Sequence, residues 1–129
     1  MILEIYDLEC LINVFTYTGY CPKENKWYQF VIAPWLNQYV DLISHLKRDK
    51  LIQVGFNNIG YDYPLEHHLL NHYNEYKELN GLDLTSRIYS KSQEIIDSEF
   101  SAIARKNEFI YQIDLYKIWH YNNKARTTS

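Results

Sequence analysis

Three runs rich in β-branched and aromatic residues crowd the start of this chain, and the connections between them are too short to hold a crossover helix. Ile2 to Asp7 is short, apolar and rich in isoleucine. Leu11 to Tyr20 follows, with Val14, Thr16 and Thr18 favouring an extended backbone. Turn residues in Gly19-Tyr20-Cys21-Pro22-Lys23-Glu24-Asn25 then lead into Lys26 to Ala33. Strands joined this closely pair antiparallel, so the first third of the chain reads as a three-strand meander.

The periodicity then changes. Pro34 opens a helix on this reading, with Trp35, Tyr39, Leu42, Ile43 and Leu46 at helical spacing. Leu51 to Phe56 reads as a fourth strand, and Pro64 marks a second helix with Leu65, Leu69, Tyr73 and Tyr76 as its stripe. Gly81 breaks that helix, and Thr85 to about Phe100 reads as a third, anchored by Ile88, Ile95, Ile96 and Phe100. Phe109 to Leu115 reads as a fifth strand and Tyr116 to Asn123 as a short helix. A meander followed by alternating helices and strands predicts one α/β domain over residues 1–129: a mixed sheet, antiparallel meander plus parallel strands, flanked by helices. This is the element order of an RNase H-like fold.

Composition narrows the class. With 129 residues and 47% hydrophobic content the chain can bury a core, and a net charge of −3 is not that of a globally basic nucleic-acid binder. That argues little against nucleic acid, because bound cations supply positive charge where carboxylates gather. Some of the 13 tyrosines could stack on bases, though most read as core or boundary residues. The start lacks the basic region and long apolar run of a secretory leader, and no apolar stretch approaches the ~20 residues of a membrane helix. With two cysteines, Cys10 and Cys21, the expectation is a soluble cytoplasmic protein with reduced thiols and no membrane partner.

Two short motifs carry the chemistry. In Tyr6-Asp7-Leu8-Glu9-Cys10, residues two apart on a strand face the same side, so Asp7 and Glu9 point together. Paired carboxylates repel unless a cation lies between them, and hard cations take oxygen ligands. The ordinary reading of the pair is a solvated strand end; the apolar surroundings Ile2, Leu3, Ile5 and Leu8 argue for more. In Gly55-Phe56-Asn57-Asn58-Ile59-Gly60-Tyr61-Asp62, Asp62 falls at a helix start, where it is either a simple N-cap or a third ligand aimed at the same cations. Asn57 or Asn58 could hydrogen-bond a substrate or hold a water.

These residues resemble the first two motifs of the DEDD (DnaQ-like) 3′–5′ exonuclease superfamily. Tyr6-Asp7-Leu8-Glu9 is similar to its Asp-X-Glu after a hydrophobic strand, and Asn57 or Asn58 with Tyr61-Asp62 is similar to its Asn-X-X-X-aromatic-Asp. Exonuclease domains of phage DNA polymerases and related phage-encoded nucleases look closest. The resemblance implies an RNase H-like fold, two Mg²⁺ or Mn²⁺ ions held by Asp7, Glu9 and Asp62, and removal of nucleotides from the 3′ end of DNA, with RNA as the alternative. Within it Asp7 bridges the ions, Glu9 holds the one that activates water, and Asp62 the one near the leaving oxygen. Phe56, Asn57, Asn58 and Tyr61 contact the terminal nucleotide, most naturally a single-stranded 3′ end. A phage origin implies the cytoplasm of a bacterial host.

The family's third motif, a Tyr or His base followed by an aspartate, does not occur after Asp114. The resemblance therefore covers nearly all of this chain but only the earlier part of the family domain. The expectation is a domain incomplete at its C-terminus, completed by a polymerase or another chain. Missing helices would leave part of the sheet uncovered. The alternative is a catalytically inactive nucleic-acid- or protein-binding or inhibitor module on the same fold. Asp114 reads as a helix cap or strand-end acid rather than a ligand. His67, His68 and His72 read as a boundary face of the second helix, His120 as structural, and Lys47, Arg48 and Lys50 as ordinary charged surface.

Overall fold

The computed structural model describes residues 1–98 and 101–118. Six strands form one mixed sheet in the order β4-β3-β2-β1-β5-β6. β1 (Ile2–Cys10), β2 (Phe15–Cys21) and β3 (Lys26–Ala33) make the antiparallel meander, extended by the two residues of β4 (Leu36–Asn37). β5 (Leu51–Gly55) runs parallel to β1, and β6 (Tyr111–Asp114) runs parallel to β5. The parallel half requires crossovers. α1 (Tyr39–Leu46) leads from the meander to β5, and α2 (Tyr63–Asn71), α3 (Tyr73–Tyr76) and α4 (Gly81–Asp97) lead on to β6.

Strand alternation sorts the side chains. Tyr6, Leu8, Phe15, Tyr17 and Ile32 are buried on the inner face, where they pack with Leu42, Ile43, Leu46, Leu65, Leu69, Leu84 and Ile88 from the helices. On β1 the odd residues Leu3, Ile5, Asp7 and Glu9 face out and are exposed. The inner face also buries Glu4, Gln53, Glu66 and Gln112. Gln53 donates to Glu66 Oε1 (2.9 Å) and accepts from Gln112 (2.7 Å), which in turn accepts from Tyr6 Oη (2.6 Å).

Several boundaries differ from expectation. Pro34 does not start α1: it stands in a turn before β4, and α1 begins at Tyr39 once Asn37 Oδ1 has accepted the Tyr39 N–H (3.1 Å). The stripe ending in Tyr73 and Tyr76 is broken at His72, so these two residues belong to α3. Gly81 opens α4 rather than ending a helix. Asn80 caps it by accepting the Asp83 N–H (2.8 Å), and a Cβ at position 81 would lie 2.0 Å from the Ala33 carbonyl oxygen of β3. Ile88 and Ile95 are buried as expected of helix anchors, but Ile96 is exposed. Phe100, His120 and most of the helix expected over 116–123 lie outside the described residues. No described helix is long and apolar enough to cross a membrane.

Candidate metal centre

The site is built where the parallel ladder stops. β1 and β5 pair only from Ile2↔Leu51 to Ile5↔Val54, and β5 ends at Gly55. The far half of β1 therefore has unpaired backbone groups on that side. A π-helical turn, Asn58–Asp62, fills the space and runs directly into α2. Asp62 stands at the N-cap position of α2 but makes no capping hydrogen bond there. Instead its Oδ2 accepts the backbone N–H of Leu8 at 3.0 Å. Leu8 lies between Asp7 and Glu9, so the three expected carboxylates stand around one short segment of β1.

The electrostatics of Asp62 record this proximity. Burial pushes its carboxyl up, the Leu8 N–H pulls it down, and the charges of Asp7 and Asp114 push it up again, to about 7. A carboxylate that is both desolvated and next to another acid is stabilised by a cation. The donor set is all oxygen, which suits Mg²⁺ or Mn²⁺. Among the described residues no three His, Cys, Asp or Glu side chains already meet at metal-holding distances. Asp7 and Glu9 are exposed and form no ion pair among the described residues, so both can turn toward an ion.

Asp114 holds the turn in place. Its buried carboxylate accepts N–H bonds from Asn57 (2.8 Å), Ile59 (3.1 Å) and Tyr116 (3.0 Å), the last of these opening the helical residues 115–118. Asn57 takes the left-handed conformation, φ 60°, that this bend needs. Asn58 is fully buried and donates to Gln112 Oε1 (2.8 Å) and the Ile113 carbonyl (3.3 Å), so it ties the turn to β6 from beneath. A Cβ at Gly55 would lie 2.8 Å from Asn58 Cγ, so β5 must end on a residue without one.

No family model, curated protein or solved structure matches this chain. Its chemistry is therefore read from its own residues.

The remaining expected residues fall around the carboxylates. Phe56 is 63% exposed and meets Tyr116 edge to face, with ring centres 5.2 Å apart. Asn57 is exposed, and Tyr61 is half-buried with its hydroxyl on Ser92 Oγ at 2.6 Å. Burial pushes the Tyr61 hydroxyl up, the Ser92 bond opposes this, and the charges of Cys10, Asp62 and Asp7 add to the rise. Beside Tyr61 lies a shallow groove of about 420 Å³ lined by Asn57, Gly60, Tyr61, Ile95, Ile96 and Ser98. Sequence reasoning did not single out Ser92; its place inside α4 carries no local signal.

Arg48 departs from the surface reading. It makes a salt bridge to buried Glu4, which also binds His45 (2.9 Å), Cys21 Sγ (3.0 Å) and the Tyr17 hydroxyl. His68 spends Nε2 on the Tyr76 hydroxyl (2.6 Å), and burial together with the His72 charge lowers it to about 4.

Proposed function

We propose that this chain is a metal-dependent 3′–5′ exonuclease-type domain with an RNase H-like fold, in which Asp7, Glu9 and Asp62 hold Mg²⁺ or Mn²⁺. One observation carries the reading: Asp62, in the helical turn that runs straight into α2, spends its carboxylate on the backbone N–H of Leu8, between Asp7 and Glu9. The sheet order, with a meander on one side of β1 and parallel strands on the other, supports the fold assignment.

Bound ions of this class activate a water and stabilise the leaving oxygen of a phosphodiester. The chain's residues arrange the rest. Asp62, raised to about 7, would hold the ion as a carboxylate together with Asp7 and Glu9. Asp114 fixes the turn that aims it. Ser92 orients the Tyr61 hydroxyl at the mouth of the groove, and Phe56 offers an exposed ring for base stacking, worth roughly 1–3 kcal/mol where it occurs. The shallow groove beside Tyr61 supports single-stranded nucleic acid as the substrate, and the preference for its 3′ end rests on the family resemblance.

The test is digestion of a 5′-labelled single-stranded oligonucleotide with Mn²⁺, beside Asp7→Ala. A ladder shortening from the 3′ end, absent in the variant while its circular dichroism is unchanged, is expected. Equal digestion by both proteins would sink the assignment. Failure to digest together with failure to bind Mn²⁺ would leave a binding module on the same fold.

A further inference from the structure

The outer face of the sheet is two different surfaces. Over the antiparallel half it carries Thr16, Thr18 and Gln29. Over the parallel half the register sets Leu3, Ile52 and Tyr111 in one row, and Ile5, Val54 and Ile113 in the next. The second row continues through Tyr20 to Trp27 on β2 and β3. Strands in a parallel arrangement are ordinarily covered on both faces, and the outer face here is apolar, as a covered face is. Here the helices pack on the inner face, while Trp27 is 70% exposed, Tyr111 54%, Ile5 46% and Leu3 37%.

The composition is that of a protein interface. Tyr20 and Trp27 pack with ring centres 4.7 Å apart, and the Arg105 guanidinium lies 4.3 Å over the Tyr111 ring. Trp, Tyr and Arg are the residues enriched at interface centres. Polar and charged groups, Asp7, Glu9, Thr18 and Gln29, border the apolar rows as a rim.

We propose that this face is a homodimer interface, its occupant the same face of a second copy of the chain. Sheet-on-sheet packing at roughly 10 Å brings two such faces together as an isologous pair. The partly exposed side chains of the two rows offer on the order of 500 Å² of apolar area. Two such faces together would bury on the order of 1,000 Å² of apolar surface, about the least that a specific interface buries. Because Asp7 and Glu9 lie at the rim, the carboxylates stay open to solvent.

Sedimentation of the 129-residue chain from about 1 to 100 µM tests this, a span that brackets micromolar association. The expected result is a monomer–dimer equilibrium, with Ile5→Lys and Trp27→Lys each raising the dissociation constant at least tenfold. Trp27 stands largely in solvent on β3, so its variant keeps the test valid if Ile5→Lys fails to fold. Glu78→Lys, on the helical side, should associate as wild type does. A monomer at every concentration overturns the proposal, as does a dimer indifferent to both variants or only heterogeneous aggregate. Asp7→Ala should leave the dimer intact, so the interface and the nuclease reading stand or fall separately.

Discussion

Glu4 on β1 and Glu66 on α2 are both buried beneath the inner face of the sheet, yet their surroundings shift them in opposite directions. Burial pushes Glu4 up, but hydrogen bonds from His45, Cys21 and Tyr17, with the His45 charge, bring it down to about 2. Arg48 adds a salt bridge. Burial pushes Glu66 well above the ordinary carboxylate range, and Gln53 alone opposes it through one oxygen; Oε2 has no hydrogen-bond partner among the described residues. Glu4 is therefore held as an anion, while burial favours the neutral form of Glu66. Burial is common to both, so the difference comes from the partners supplied. Asp62 stands between them: it has one N–H partner and acidic neighbours.

The comparison can be broken hardest at Glu4. Glu4→Gln leaves Arg48 and His45 without their anion and should cost about 3–5 kcal/mol at pH 7, read by urea denaturation. In the wild type the stability from Glu4 is present above pH 4.5 and is lost as pH falls toward about 2, because its folded value is depressed.

Asp62 has the opposite sign. Its folded value is raised, so its contribution is fully present below pH 3.8 and lost as pH rises to about 7. Without metal, Asp62→Asn should be about 2–4 kcal/mol more stable than wild type at pH 8 and indistinguishable from it near pH 3.5, while losing Mn²⁺ binding. A variant less stable at both pH values would show that the carboxylate's place on Leu8 is structural.

Glu66→Gln sharpens the contrast further. Its folded value is also raised, so the wild type loses stability as pH climbs above 4.5 and the glutamine variant does not. A gain of about 1–2 kcal/mol at pH 8, shrinking to nothing near pH 4, is expected from denaturation curves. The smallest effect belongs to a surface pair. Glu75 and Arg87, 2.7 Å apart and both more than half exposed, should be separable by Glu75→Gln with no measurable change in denaturation midpoint.

What was legible in the sequence was local. Alternation on β1, the short connections of the meander and helical spacing around Leu42 or Ile88 are set within a few residues, so the element order could be read from them. The same period of two placed Asp7 and Glu9 on one face. Capping was less legible, because Pro34 suits a turn as well as a helix start, and the role of Gly81 depends on the approach of β3.

Long-range pairing escaped sequence reading. Glu4 meets His45 and Arg48, and Asp62 meets Leu8, across 41, 44 and 54 residues of sequence. Nothing local in Lys47-Arg48-Asp49-Lys50 distinguishes a buried salt bridge from a charged surface. The sequence by itself determined which segments become strands and helices and which acids they carry. Only the tertiary structure decided which buried acid receives cationic partners, which is left without them and which stands beside Asp7, because the cost of a buried charge depends on the groups that folding brings within a few ångströms.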